Sequence, residues 1–95
     1  MTFERDEIRR QLLRKGFRES TGDHHFYTLW VNGKKTHIST KLSHGTKYKV
    51  YDDSLIALVC RQLYLSKKEL SELIECKLSG AEYVALLLRH GKLLS

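Results

Sequence analysis

An Asn-Gly pair at positions 32 and 33 sits between two strand-like runs and commits the middle of this chain to a β-hairpin. The run before it, His25-Phe26-Tyr27-Thr28-Leu29-Trp30-Val31, is rich in aromatic and β-branched residues. Asn-Gly suits a two-residue turn because both central positions need positive φ, and so short a turn fixes the register of the returning strand. Val31 is then expected opposite Lys34, Leu29 opposite Thr36 and Tyr27 opposite Ile38, all on the side that reads as core. The other side carries Trp30 with Lys35, Thr28 with His37, Phe26 with Ser39 and His24 with Lys41. Rings interleaved with Lys and His make a surface that stacks bases and tracks phosphates. Packing of Trp30 and Phe26 beneath the C-terminal helices is the alternative, and the sequence leaves both open.

Helical signals flank the hairpin. Ile8, Leu12 and Leu13 recur at helical spacing after the acidic start Glu4, Asp6, Glu7, and the pattern stops at Gly16, which suits a left-handed position after a helix. A short strand from Phe17 to Ser20 and a Thr21-Gly22 turn lead into the hairpin. Residues 43–51 read as a basic loop with a short extended piece over 47–51, before Asp52, Asp53 and Ser54 offer caps for a second helix lined by Leu55, Leu58, Val59 and Leu63. Two Ser-x-x-Glu capping boxes come next. Ser66 with Glu69, plus a Leu65–Leu70 staple, starts a third helix at Lys67; Ser79 with Glu82 opens a fourth, whose Tyr83, Val84, Leu87 and Leu88 are apolar and whose end Gly91 marks. The expected fold is α+β: an N-terminal helix, a three-stranded antiparallel sheet, then C-terminal helices packed on one face, in one domain over residues 1–95.

Charge narrows the partner. The 95 residues hold 17 Lys+Arg against 11 Asp+Glu, a net charge of +6, and no acid lies between Asp23 and Asp52. That stretch carries Lys34, Lys35, Lys41, Lys47 and Lys49 with His24, His25, His37 and His44, a local positive field for polyanions; a solvated basic face is the plainer reading. No apolar run approaches the roughly 20 residues that span a bilayer, and the charged N-terminus lacks a signal-peptide core, so the expectation is a cytoplasmic protein without membrane association. Cys60 and Cys76 fall in helix-like apolar patterns with no Cys-x-x-Cys pair, which suggests buried reduced thiols. Five histidines form no His-x-x-x-His pair, and the six glycines stand singly, so neither a metal site nor a phosphate-binding loop is expected, and no cofactor. No nucleophile elbow is present either.

A histidine beside bound phosphate remains. Imidazole titrates near neutral pH, so it can deprotonate a ribose 2′-hydroxyl or protonate the departing 5′-oxygen, the two transfers that RNA cleavage by transesterification requires. Lys41, across from His24 in the expected register, would neutralise the phosphorane. A strand-end hydrogen bond is the alternative role for His24.

A first helix ending in Lys15-Gly16-Phe17, then Gly22-Asp23-His24-His25-Phe26-Tyr27, a hairpin, Ser43-His44-Gly45, and a helix leading to Leu63-Tyr64-Leu65-Ser66 together resemble the HicA toxin family. In that family a Gly-Ser-His-x-x-aromatic motif opens the second strand and its histidine is required for RNA cleavage; it corresponds to His24, with Tyr27 as the aromatic. Asp23 stands where the motif has Ser, and residues 67–95 extend beyond the family's helix-sheet-helix core, which the resemblance matches over 4–66. The resemblance implies a double-stranded-RNA-binding-domain-like fold, metal-independent endoribonuclease activity on mRNA, and a HicB-like antitoxin as protein partner.

Three functions are compatible with these readings. The first is a toxin that cleaves RNA, with His24 as general acid or base, His44 as second proton-transfer candidate, and Lys34, Lys35, Lys41, Trp30, His37, Lys47 and Lys49 on the RNA. The second is a non-catalytic RNA-binding module. The third is an interaction protein working through its C-terminal helices.

Overall fold

The computed structural model describes residues 2–20, 25–43 and 49–93. It is α+β, in the order β1 (Phe3–Glu4), α1 (Arg5–Arg14), β2 (Phe17–Ser20), β3 (His25–Val31), β4 (Lys34–Leu42), β5 (Val50–Tyr51), α2 (Asp53–Leu63), α3 (Lys67–Ile74) and α4 (Gly80–Arg89). Strands β2, β3 and β4 form an antiparallel sheet with β3 in the centre, and β1 pairs with β5 in a separate two-stranded ribbon. The expected helix, three-stranded sheet and C-terminal helices are all present. The Thr21-Gly22 turn falls outside the described residues, and the extended piece expected over 47–51 is reduced to Val50–Tyr51 among those described.

Local chemistry sets most boundaries. Asn32 and Gly33 take φ of 53° and 76°, the double left-handed turn that Asn-Gly supports. Gly16 has a φ of 105°, and its carbonyl accepts from the Trp30 amide at 3.1 Å, so the residue that ends α1 also starts the β2–β3 ladder. Asp52 caps α2 through Leu55 N, and both capping boxes are closed, Ser66 with Glu69 and Ser79 with Glu82.

The helices cover one face of the sheet. Phe17, Tyr27, Leu29, Ile38 and Leu42 from the strands are buried with Ile8 and Leu12 of α1, Ile56, Val59 and Leu63 of α2, and Leu70, Leu73, Tyr83 and Leu87 of the last two helices. Residues 67–93 therefore belong to the same core as the sheet. Gly80 is seated so closely on the end of α1 that a Cβ there would lie 2.9 Å from the Lys15 carbonyl oxygen, while Lys15 Nζ donates to the Leu78 carbonyl at 3.0 Å.

Several side chains differ from expectation. The buried stripe of α2 is Ile56, Val59, Cys60 and Leu63, and Leu58 is 46% exposed, because a helix begun at Asp53 turns the 56/59/60/63 set inward. In α4 the buried residues are Tyr83, Leu86 and Leu87, while Leu88 faces out. Leu13 is also exposed, and Gln11 takes its place, held by bonds to Glu7 and Cys76. Cys76 is not a buried helix thiol: it lies beyond α3 with φ of 64°, exposed, whereas Cys60 is buried as expected.

The hairpin register holds near the turn and then shifts. Val31 pairs with Lys34 and Trp30 with Lys35, but Thr28 pairs with Ser39, Tyr27 with Thr40, Phe26 with Lys41 and His25 with Leu42. Four positions of β4, from Lys35 to Ser39, thus span the rise of two in β3, from Trp30 to Thr28, a bulge of two extra residues. The Thr36 hydroxyl stabilises it by donating to the Leu29 carbonyl at 2.7 Å and accepting from the Ile38 amide at 3.2 Å. Because two residues are added and not one, every side chain beyond the bulge keeps its face.

Candidate nucleic-acid interface

Among the described residues no helix covers the other face of the sheet. Strand alternation places Phe26, Thr28 and Trp30 of β3 there, between Arg18 and Ser20 of β2 and Lys35, Ser39 and Lys41 of β4. Phe26 is 39% exposed, Lys35 and Lys41 are exposed, and Trp30 is half-buried. The alternative in which helices pack over Trp30 and Phe26 does not occur. Thr28, at the centre, is buried by its neighbours on the same face. The Arg18 guanidinium lies 4.0 Å from the centroid of the Trp30 ring, a cation–π contact that holds the indole in place. Arg18, Lys34, Lys35 and Lys41 form no ion pair with any described residue, so their charge is available to an anion.

The bulge redistributes the other expected contacts. His37 does not stand opposite Thr28; its ring meets that of Tyr64 edge-on at 6.4 Å. Lys34 and His37, with Lys35, border a separate cleft of about 710 Å³ lined also by Val31, Val84 and Leu88. Lys49 is exposed beside the β1–β5 ribbon, its carbonyl accepting from the Arg5 amide at 2.8 Å. Lys41 has Phe26 and not His24 as its cross-strand partner, because the two residues taken up by the bulge leave Lys41 two positions nearer the turn than expected.

His24, His44 and Lys47, together with Asp23, lie outside the described residues. The residues bordering their segments are adjacent to each other: His25 pairs with Leu42, and Ser43 comes directly after it. The Ser43 amide donates to the Tyr51 hydroxyl at 2.8 Å, which ties the end of β4 to β5.

That end of the sheet also carries a polar cluster that no sequence motif announces. Glu19, directly across from Tyr27 in the β2–β3 ladder, accepts the Tyr27 hydroxyl at 2.6 Å and Arg9 Nη2 at 3.1 Å, and shares a hydrogen bond with His25 Nδ1 at 3.1 Å. Arg9 Nε reaches the Tyr27 oxygen as well, at 3.1 Å. Tyr27, Arg9 and His25 together hold the Glu19 carboxyl down to about 2. Tyr27 is pushed up to about 12, first by burial and then by its bond to the Glu19 carboxylate. These residues line a cleft of about 260 Å³ with Arg5, Asp6, Leu42 and Ser43. The signal in the sequence was Glu19 itself, a carboxylate on the same inward parity as the buried Phe17.

Among the described residues no three His, Cys, Asp or Glu side chains gather as a metal-binding group, and no helix is long and apolar enough to cross a membrane. Comparison with protein-family models, with curated proteins and with solved structures finds no match for the chain.

Proposed function

We propose that this protein binds single-stranded RNA on its open sheet face and cleaves it as the toxin of a toxin–antitoxin pair in the cytoplasm, with His24 as general acid or base. The observation that carries the binding part is the Arg18–Trp30 stack flanked by Phe26, Lys35 and Lys41 on a face without helices. A partly exposed ring pair beside cations that form no ion pair with any described residue suits unstacked bases and their phosphates, while duplex bases offer no faces to stack on. The cleavage part rests on the Gly22-Asp23-His24-His25-Phe26-Tyr27 motif and its resemblance to HicA toxins, and it implies mRNA as substrate and a HicB-like antitoxin that covers the basic face. An acidic antitoxin would complement that face electrostatically.

The test is incubation of wild-type and His24→Ala protein with a long single-stranded RNA in excess chelator. Fragments ending in 2′,3′-cyclic phosphate from wild type alone support the proposal. RNA that shifts on a gel but stays intact makes the chain a binding module, and RNA that neither shifts nor breaks refutes both parts.

A further inference from the structure

Helix α4 carries more apolar surface than the core of this chain takes up. Tyr83-Val84-Ala85-Leu86-Leu87-Leu88 is apolar without interruption, yet only Tyr83, Leu86 and Leu87 of this run are buried. Val84 and Leu88, one helical turn apart and so on one face, are half-buried and 42% exposed respectively. A helix that is apolar all round is ordinarily covered all round. We propose that the cleft between α4 and the β3–β4 hairpin is a docking site for an acidic amphipathic helix of a protein partner. The proposal goes beyond the RNA reading and does not rest on it.

Two features of the cleft select that occupant. Its apolar lining comes from both sides, Val31 from the hairpin with Val84, Leu88 and Leu93 from α4 and the segment after it. The volume of about 710 Å³ falls in the roughly 300–1,000 Å³ range of sites that enclose a ligand, so it has room for a few anchoring side chains and not for the face of a whole domain. The second feature is a basic border. Lys34 and Lys35 line the cleft, both exposed, and no carboxylate among the described residues does so. Tyr64 joins His37 to Lys92: its ring meets the His37 ring at 6.4 Å and lies 5.1 Å from Lys92 Nζ, which places a third lysine on the His37 side. None of the three lysines forms an ion pair with any described residue.

Other occupants match these walls less well. A second copy of this chain would bring its own net charge of +6 against the same lysines. Bases stack on aromatic faces, and the apolar lining here is aliphatic. A membrane surface takes up apolar side chains that project from a protein, whereas these line a concavity. A helix with leucines at i, i+3, i+4 and i+7 and acids beside them meets both the apolar walls and the lysines.

The full chain, isotopically labelled on its amides, is titrated with three synthetic peptides of about 20 residues, long enough to populate a helix. One carries leucines at that helical spacing on a glutamate-rich background. Another keeps the leucines on a lysine-rich background, and the third keeps the glutamates with serine in place of every leucine. The first is expected to bind at least about tenfold more tightly than either control and to shift amides within 31–37 and 84–93. Leu88→Ala should weaken it about tenfold. Lys34→Glu should weaken the first peptide and strengthen the second, and amide spectra check that each variant is folded. The proposal is overturned if the first peptide does not bind, shifts amides elsewhere, binds no better than a control, or is indifferent to the substitution in a folded variant. An oligoribonucleotide that shifts the same amides at lower concentration than the first peptide would assign the cleft to nucleic acid and overturn it as well.

Discussion

Glu19→Gln tests how much of the fold depends on one charge. Glutamine keeps the shape of the side chain and an oxygen to accept the Tyr27 hydroxyl, but it removes the charge that Arg9 and His25 meet. The Glu19 carboxyl is held at about 2 against an ordinary 4.5, so the folded state binds its proton less readily than the unfolded chain. Its contribution is therefore present in full above pH 4.5, declines as pH falls, and is gone once pH passes below about 2. At about 1.4 kcal/mol per unit the shift has a ceiling of roughly 3 kcal/mol, and solvent screening at this partly exposed group lowers that to roughly 1–2 kcal/mol. For a domain of this size the loss corresponds to a Tm about 5–15 °C lower at pH 7. Urea unfolding monitored by Trp30 fluorescence, run on wild type and variant at pH 7, 4.5, 3 and 2.5, reads the difference directly. The gap should be widest at pH 7 and close steadily below 4.5. A gap of equal size at pH 7 and pH 2.5 would show that the carboxylate's charge is not what the cluster depends on.

Other parts of the structure make three further outcomes measurable. Gly80→Ala pushes a methyl group to 2.9 Å from the Lys15 carbonyl oxygen, a rigid backbone atom, and should destabilise the protein by about 1–3 kcal/mol despite the better helix propensity of alanine; thermal melts check it, and an unchanged Tm would mean the α1–α4 junction yields. Trp30→Ala should weaken binding of an unstructured oligoribonucleotide by about 1–3 kcal/mol with the fold intact, and Lys41→Ala should reduce the slope of log affinity against log salt by about 0.7, both by titration across salt concentrations. Tyr83→Phe strips the Leu63 carbonyl of a buried 2.8 Å hydrogen bond and should cost about 1 kcal/mol in chemical denaturation.

Features settled within a few residues were the ones legible in the sequence. Asn32-Gly33 announced the hairpin, Ser66 with Glu69 and Ser79 with Glu82 announced two helix starts, and Gly16 announced a helix end, because each device satisfies its own backbone groups locally. The Thr36 bulge was not legible: its side-chain hydroxyl donates to the Leu29 carbonyl, which a regular ladder would leave to a backbone amide. The cross-strand partners of Thr28 and Lys41 moved with it, but the division into core face and open face survived. The β1–β5 ribbon, at two residues a strand, carries no periodic signal and depends on where α1 and α2 bring their ends. The Arg9–Glu19–His25–Tyr27 cluster needed the β2–β3 register and the position of α1 together, and no single segment contains either.

The double step in β4 also sets which length changes this strand can accept. Removing one residue from 36–38 would turn Ile38, Thr40 and Leu42 toward solvent and point Ser39 and Lys41 at the helices, exchanging oil for charge along half the sheet. Removing two would restore an unbroken ladder and leave both faces as they are, with the loss confined to the Thr36 crossing and the seat of His37 beside Tyr64. Relatives of this chain are therefore expected to differ in this strand by even numbers of residues, and a library of loop variants built here should be graded in pairs.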